Sequence, residues 1–315
     1  MNAAARFPDL TTAAIVVLVV LLPLMAPLSL ASEIAVFATA TLSVTLLLGA
    51  VGLLSFGQGL YFGFGAYTAG VLLRDYGLGL LATLTLAALG AAALGGALGA
   101  LAVRRRGVYF VMLTLGFAQM GYFAMLSMSD VTGGENGLTG MPRVFPLFGW
   151  PIASPLSLYV LTGGAFVLIF VGVQRLIASP LGSVLAAIRE NEGRSEAMGY
   201  DVRRYKTVAV ALAGAIAGLA GALHAILLGF VPPSDIELDM SQRLLVMSII
   251  GGAGSPAGAL IGAGFYTLVS EALSQIWARW MALIALILIA IVLYLPGGLW
   301  SLAQGFRDRL RAADG

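Results

Sequence analysis

Residues 34–73 read IAVFATATLSVTLLLGAVGLLSFGQGLYFGFGAYTAGVLL, which is 40 residues without a charged side chain. As one straight helix this stretch would be about 60 Å long, twice the thickness of the hydrocarbon core of a bilayer. Inside lipid every backbone amide must be hydrogen-bonded within the protein, so helices are the expected structure. The stretch therefore predicts two membrane helices joined by a turn, which we place at Ser55-Phe56-Gly57.

The rest of the chain has the same character. Of 315 residues 60% are hydrophobic and 10% are charged, against roughly 25% charged residues in an ordinary soluble domain. We predict an all-α polytopic membrane protein with about 8–10 transmembrane helices, an internal repeat and short broken segments, forming a single transmembrane domain over residues 1–315. Helices are expected near residues 12–31, 34–54, 57–73, 78–102, 108–127, 156–177, 207–230, 241–253, 257–273 and 280–297.

Composition excludes several functional classes. The chain has no Cys and one His, so thiol catalysis, an iron–sulfur cluster and a protein-ligated metal site are not expected. A net charge of +2 gives no support to a nucleic-acid partner.

Arg6 precedes an apolar run that ends at Ser29-Leu30-Ala31, which resembles a signal peptide. That run is longer than a usual signal-peptide core, so we expect an uncleaved first helix.

The placement of basic residues predicts the orientation in the membrane. With the N-terminus in the cytoplasm, 13 of the 17 basic residues fall on the inner side, as the positive-inside bias requires. Both termini are then cytoplasmic. The basic residues left outside are Arg74, Arg143, Arg243 and Arg279.

An internal repeat relates two parts of the chain at a constant offset of 199 residues. Its core is Gly-x-Gly-x-Tyr-Thr, and the matched residues are Gly52, Gly59, Gly63, Gly65, Tyr67 and Thr68 with Gly251, Gly258, Gly262, Gly264, Tyr266 and Thr267. Glycine-interrupted segments at corresponding positions point toward a substrate pathway. The alternative is that the glycines only let helices pack closely. We predict pathway contacts from Gln58, Gly63, Gly65, Tyr67, Thr68, Gly262, Gly264, Tyr266 and Thr267.

The longest exterior loop spans about residues 128–155 and is rich in turn residues. It is either a docking or gating surface for an external partner or an ordinary solvated loop.

His224 lies in a charge-free helix. We expect its imidazole to be neutral and bonded to a backbone carbonyl, with a proton relay as the alternative.

Residues 178–206 form the one long polar interval. Ser183 can cap a weakly amphipathic helix, which Gly193 breaks and which ends near Gly199. Such a segment can fit a groove in a partner and pass on its motion, or it can be a solvated loop.

The same interval carries a resemblance to a known family. Four stretches of it are similar to the cytoplasmic coupling loop of branched-chain amino-acid ABC transporter permeases, of the LivM type. They are Ser179-Pro180-Leu181-Gly182, Ala187-Ile188-Arg189-Glu190-Asn191-Glu192, Glu196-Ala197-Met198-Gly199 and Arg204-Tyr205-Lys206. Further matches are Ser55-Phe56-Gly57-Gln58, Phe62 to Thr68, Thr132 to Leu138 and Gly214 to Leu223, so the resemblance runs from about residue 40 to 297. Members often show His where this chain has Gln58, a difference that bears on specificity.

The resemblance implies an assembly in the bacterial inner membrane. Its other members would be a second permease subunit, two cytoplasmic ATP-binding subunits that hold ATP and Mg²⁺, and a periplasmic substrate-binding protein. This chain has no phosphate-binding Gly-x-x-x-x-Gly-Lys motif, and Lys206 is its only lysine, so ATP would be hydrolysed on the partner and no cofactor is expected here. The resemblance assigns contacts with the ATPase to Ala186, Ala187, Arg189, Glu190, Asn191, Glu196, Ala197 and Gly199.

The expected function is import of branched-chain amino acids by alternating access. The same architecture carrying urea or short amides is one alternative. An ion-coupled secondary transporter is another, which the absence of Asp, Glu, Lys and Arg from all eight long uncharged runs disfavours. A membrane-embedded enzyme would need paired acidic residues or a His cluster, and neither is found.

Overall fold

The computed structural model describes residues 8–142, 145–147, 150–152, 154–276, 279–295 and 297–301. In this part of the chain, ten helices have at least 14 residues, which confirms the predicted helical membrane fold. They are α1 (Pro8–Met25), α2 (Leu28–Thr45), α3 (Gln58–Arg74), α4 (Leu80–Ala102), α5 (Val108–Ser127), α7 (Pro155–Ala178), α10 (Val202–Leu228), α11 (Leu238–Gly251), α12 (Pro256–Ile276) and α13 (Trp280–Tyr294).

The remaining elements are short. Three are α-helices outside the bundle core, α6 (Ser129–Thr132), α8 (Pro180–Glu190) and α9 (Glu192–Ala197). A π-helical turn, Leu46–Val51, extends α2. Two 3₁₀ turns, Gly134–Asn136 and Pro233–Asp235, and an antiparallel pair of strands, β1 (Phe145–Leu147) and β2 (Trp150–Ile152), lie in connections.

Six of the described helices are long and apolar enough to cross a bilayer by themselves: α2 with its π-helical turn, α4, α5, α7, α10 and α12. Helix α11, with 14 residues, would be only about 21 Å long, which is too short for a full crossing. At the glycine-rich break near residue 252 the chain forms two packed helices of unequal length, α11 and α12, as predicted near residues 241–253 and 257–273.

The break between the first two helices differs from the sequence prediction. We expected it near Glu33, because that residue separates two uncharged runs. The structure ends α1 at Met25 and starts α2 at Leu28, so Glu33 lies inside a helix. The reason is Pro27, whose extended backbone (φ −53°, ψ 144°) precedes the first helical residue and supplies no amide donor to a continuing helix.

Helix α10 is at the centre of the bundle, packed most extensively against α4, then α3 and α2. Small residues allow this close approach. A Cβ on Gly221 would overlap the carbonyl of Phe62 in α3, and one on Gly65 would overlap Gly218 of α10. Such backbone-to-backbone contact is how helices associate in lipid, where burying apolar surface gains little.

Both described ends of the bundle lie on one face. Helix α1 runs antiparallel to α7, with the hydroxyl of Thr12 2.7 Å from Oε1 of Gln174 near the end of α7. Beyond α13, Gly298 abuts Gly252 at the end of α11. Helices α8 and α9 directly follow α7 on this same face, which we call the α8–α9 face.

Candidate functional site

Two side-chain caps shape the polar segment on the α8–α9 face. Oγ of Ser179 accepts the amide of Gly182 at the start of α8, and Oδ1 of Asn191 accepts the amide of Arg194 at the start of α9. The predicted cap at Ser183 and break at Gly193 are therefore wrong by a few residues. Ser179 precedes Pro180, which fits the first helical position, and this gives it the stronger start signal.

The segment has one face on the bundle and one in solvent. Leu185 and Ile188 of α8 and Ser195 of α9 are buried. Of the residues predicted to contact an ATPase, Ala187 is half-buried and the others are exposed: Ala186, Arg189, Glu190, Asn191, Glu196, Ala197 and Gly199. Their exposure leaves them available to a partner. The contact itself stays a prediction.

A charge network fixes α9 to two other elements. Glu192 lies 2.8 Å from Nζ of Lys206, near the start of α10, and 3.1 Å from the guanidinium of Arg106 in the α4–α5 connection. Arg106 also bonds Glu196 at 2.5 Å. The hydrogen bond to Glu196, followed by the charges of both glutamates, raises the pKa of the Arg106 guanidinium above its ordinary value. Helix α9 is thus bound to the central helix.

Sequence reasoning did not single out Lys206 or Arg106 as members of a network. Lys206 entered as the end of the polar interval and as the only lysine of the chain, without a partner, yet its side chain is 7% exposed. Lys206 is the single lysine of the chain, which was a signal that it has a specific role. A lysine that is buried needs a partner for its charge.

A second link joins α8 to the end of α2. The guanidinium of Arg189 donates a hydrogen bond to the carbonyl of Gly49, within the π-helical turn. The side chain of Arg189 also covers Gly52, which ends this turn in the left-handed region (φ 74°), where glycine is favoured. A π-helical turn interrupts the regular α-helical pattern of backbone hydrogen bonds. Arg189 therefore contacts the bundle at a point where the backbone of α2 departs from the α-helix.

Residues 52–57 are the irregular segment that follows, and they confirm the turn predicted at Ser55-Phe56-Gly57. Side-chain hydroxyls bond backbone groups of this segment that have no hydrogen-bond partner within a helix. The Phe56 amide donates to Oγ1 of Thr114 in α5 (3.2 Å), and the Ser241 hydroxyl of α11 donates to the Phe56 carbonyl (2.6 Å). The Gly59 amide donates to Oγ of Ser241 (2.8 Å). Three elements thus meet at a broken helix.

Gln58 is the first residue of α3 and is buried beside this segment. The hydroxyl of Ser43 in α2 donates to its Oε1 at 2.9 Å, while its Nε2 has no hydrogen-bond partner among the described residues. A buried amide with a free donor is available to a passing solute or to a water molecule.

The repeat glycines are positions of close packing. A Cβ on Gly63 would overlap Ile236, and one on Gly262 would overlap the carbonyl of Met247 in α11. Gly65 abuts α10, as described above, and Gly264 is in ordinary contact with Ile34. Short α11 packs against Gly59 of α3 and against Gly258 and Gly262 of α12, whereas Gly65 and Gly264 contact different elements, so only part of the sequence repeat corresponds to a repeated packing arrangement.

The four hydroxyl-bearing residues of the repeat have different surroundings. Tyr67 and Thr267 are buried, and Thr68 donates to the Phe64 carbonyl of its own helix at 2.7 Å. Tyr266 lines a cavity between α11, α12 and α13. Pathway lining by the predicted set stays a prediction.

Arg243 was assigned to the outer side and falls in the helix predicted near residues 241–253, and the structure places it in α11. It is a half-buried residue within α11, where it lines the same cavity as Tyr266 and interacts with that hydroxyl. Helix α11 begins at Leu238, before the uncharged run of residues 244–270, so it also carries Asp239, which is exposed, and Arg243, which is half-buried.

His224 also has a partner that the sequence did not predict. Its Nδ1 lies 2.9 Å from Oδ2 of Asp235, and both side chains are buried. The prediction that His224 bonds a backbone carbonyl is wrong. The chain turns after α10, and the 3₁₀ turn Pro233–Asp235 folds back along α3, which brings Asp235 to the imidazole. The rings of Phe37 and Phe62 lie against the imidazole, with centroids 5.5 and 5.4 Å away.

The connection after α5, which the sequence predicts to be exterior, is packed on the bundle over its first part. Leu138 pairs with Val231 through reciprocal backbone hydrogen bonds and is fully buried against Gly70. The hydroxyl of Thr132 donates to the Met125 carbonyl. This part of the segment is anchored rather than free in solvent.

Comparison with known proteins gives the family. Residues 26–293 match the branched-chain amino acid transport system permease component. The high-affinity branched-chain amino acid transport system permease protein LivM of Escherichia coli K12 is 31% identical over 280 residues, which cover 82% of this chain and 66% of LivM. The chain thus spans just under two thirds of the length of that relative.

Of two further relatives, one is named for a different cargo and the other for branched-chain amino acids. The autoinducer 2 import system permease protein LsrC of Enterobacter sp. strain 638 is 30% identical over 222 residues, covering 67% of this chain and 62% of LsrC. The probable branched-chain amino acid transport permease LivH of Methanocaldococcus jannaschii is 32% identical over 130 residues, covering 41% of this chain and 39% of LivH. No solved structure matches the chain. The match over residues 26–293 shows that this multi-pass membrane protein belongs to the branched-chain amino acid transport permease family.

Proposed function

We propose that this chain is the permease subunit of an ATP-driven importer of branched-chain amino acids in the bacterial inner membrane. Hydrolysis would occur on two separate cytoplasmic subunits, a second permease subunit would complete the membrane part, and a periplasmic protein would deliver the amino acid. The observation that carries the proposal is the attachment of α8 and α9, with exposed outer faces, to both α10 and the end of α2.

These attachments suit a segment that transmits movement. A displacement of α9 would pull on α10 through Glu192 and Lys206, and α10 contacts α4, α3 and α2. A displacement of α8 would pull on the π-helical turn through Arg189, next to the broken segment 52–57. Closure of the ATPase pair can thus bias the bundle between outward-open and inward-open arrangements.

The test is coexpression with the neighbouring ATPase, second permease and binding-protein genes. Wild-type complex should copurify with the ATPase and import labelled leucine. Glu190 is exposed on α8, and Glu190→Lys should abolish recruitment of the ATPase and uptake while leaving membrane insertion unchanged. Asp75→Lys, at an exposed site just after α3 on the opposite face, is the control for ATPase recruitment and should retain it.

A combined Glu196 and Gly199 replacement should also abolish uptake. Because Glu196 is bonded to Arg106, that variant acts on the network as well as on the outer surface, so Glu190→Lys is the cleaner test. Normal uptake and ATPase recruitment in Glu190→Lys would contradict the coupling role of α8.

Import of autoinducer 2 is the second candidate, favoured by the similarity to LsrC. Parallel uptake assays with labelled leucine and with autoinducer 2, using the same reconstituted complex, distinguish the two. Uptake of autoinducer 2 without leucine uptake would replace the first proposal.

A further inference from the structure

One cavity in the bundle combines opposite charges with an apolar wall. It has a volume of about 250 Å³ and lies between α11, α12 and α13. Its polar side is formed by Asp239, Gln242, Arg243 and Tyr266, and its apolar side by Val246, Met281, Ile284, Ala285 and Leu288.

Arg243 and Tyr266 lie within the bundle rather than at its ends, and Asp239 is exposed near the start of α11. Tyr266 is halfway along α12, and Ile284 to Leu288 form the middle of α13. Arg243 is half-buried and lies one helical turn after Asp239 on the same face of α11. A guanidinium at this depth is costly unless it has a function or a partner.

The described residues leave both charges able to bind a ligand. No salt bridge within 4.0 Å joins Arg243 to any acidic side chain in the described ranges. Glu33 of α2 acts on Arg243 only through its charge. Asp239 is exposed to the cavity, and the hydroxyl of Tyr266 lies beside the guanidinium.

We propose that this cavity is a transient binding site for an α-amino acid zwitterion on its way through the membrane, an inference that rests on the proposed function. The guanidinium of Arg243, assisted by the Tyr266 hydroxyl, binds the carboxylate, and Asp239 binds the ammonium group. Arginine suits the first task because its planar fork matches a carboxylate. The wall of Met281, Ile284 and Leu288 receives the aliphatic side chain.

The charge pattern favours a zwitterion over an uncharged cargo. An ammonium and a carboxylate on one carbon need one anionic and one cationic group close together, and positions four apart on a helix are roughly 6 Å apart along its axis. An uncharged solute would leave both protein charges unpaired within the bundle, which carries a free-energy cost.

The first experiment needs no variant. The transporter, assembled with its partner subunits, is incubated with photo-leucine, a leucine analogue with a diazirine in its side chain, then illuminated and digested. We expect adducts on α13 between Met281 and Leu288, and their loss in excess leucine. Adducts confined to other helices would overturn the proposal.

The second experiment separates Arg243 from a structural role. Arg243→Gln should lower the apparent affinity for leucine by about 10- to 100-fold, as expected for loss of a hydrogen bond to a charged group. It should also abolish the preference for leucine over leucinamide, which lacks the carboxylate, as competitors of labelling. Arg243→Lys should restore part of that preference.

Arg279→Gln is the matched control, because Arg279 is an exposed arginine just before α13 and does not line the cavity. It should behave as wild type. The two proposals fail in different ways. A wild-type complex that imports no leucine contradicts the proposed function, whereas normal leucine uptake, affinity and selectivity in Arg243→Gln contradict this site and leave the function standing.

Discussion

At the residue scale, the strongest constraint is Lys206. The only lysine of the chain is nearly buried, and its ammonium is paired with Glu192, which is in turn paired with Arg106. A buried pair does not necessarily add stability, but removal of one partner leaves an uncompensated charge. The network therefore fixes where α9 lies more than it strengthens the fold.

The two partners of this pair should respond unequally to substitution. Glu192→Ala leaves Lys206 buried without its carboxylate and should lower stability by about 3 kcal/mol. Lys206→Met leaves Glu192 partly exposed and still paired with Arg106, so the expected loss is at most about 1 kcal/mol. Thermal unfolding of the purified protein in detergent measures both.

The double variant Glu192→Ala/Lys206→Met provides the control. Removal of both members leaves no buried unpaired charge, so it should be more stable than Glu192→Ala alone. Equal unfolding temperatures for Glu192→Ala and Lys206→Met would contradict this account of the network.

His224 gives a second prediction at this scale. In His224→Gln an amide hydrogen can replace the Nδ1 contact with Asp235, so stability and the pH dependence of transport should be close to wild type. In His224→Leu the buried carboxylate loses its partner, and the expected loss is about 1–3 kcal/mol or more. Thermal unfolding and uptake between pH 5 and 8 measure both; a shifted pH profile in His224→Gln would indicate proton transfer at this histidine.

At the element scale, the small residues of α10 set the arrangement of the bundle. Gly214, Gly218 and Gly221 bring its backbone against α4 and α3 at distances that no side chain could occupy. The outward side of α7 has no such requirement. Gly172 of α7 is exposed, and nothing lies within 4 Å of the position that its Cβ would take.

The effect of a methyl group should therefore depend on the helix. Gly221→Ala forces α10 away from the Phe62 carbonyl and should destabilise the protein by about 1–3 kcal/mol, as overpacking does. Gly172→Ala should be neutral, or stabilising by up to about 1 kcal/mol, through its higher helix propensity. Unfolding temperatures compare them, and equal losses would show that α10 does not depend on close contact.

At the scale of the whole molecule, the fold separates two faces. The α8–α9 face carries the charge network and both described ends of the bundle. The opposite face carries the end of α3, where Arg74 donates to the Val131 carbonyl, and the paired residues Leu138 and Val231. Positive charge is concentrated on the first face, which predicts that it is cytoplasmic.

This orientation can be tested directly because the chain has no cysteine. Arg194→Cys introduces an exposed thiol on the α8–α9 face, and Tyr76→Cys introduces one on the opposite face. In intact cells with a permeabilised outer membrane, a membrane-impermeant maleimide should label Tyr76→Cys and not Arg194→Cys. Lysis should make both reactive. Labelling of Arg194→Cys in intact cells would reverse the orientation and contradict the coupling role.

The sequence by itself determined the helical membrane fold, the family, and the positions of the ten long helices to within a few residues, apart from the first two, whose shared break it misplaced. These follow from local quantities, since the length of an uncharged run and the chemistry of Pro and Gly act on neighbouring residues. The break at Ser55-Phe56-Gly57 is of this kind. The cap at Ser179 was missed because Ser183 offers the same local signal four residues later.

Only the tertiary structure decided which polar groups meet. Asp235 reaches His224 because the chain folds back after α10, Lys206 reaches Glu192 because α9 lies against the start of α10, and Arg243 lies beside Tyr266 because α11 packs against α12. Partners from different helices leave no trace in the local sequence pattern. In a bundle surrounded by lipid, buried polar groups must find partners across helices. The polar contacts most relevant to function are therefore the ones that the order of residues along the chain does not reveal.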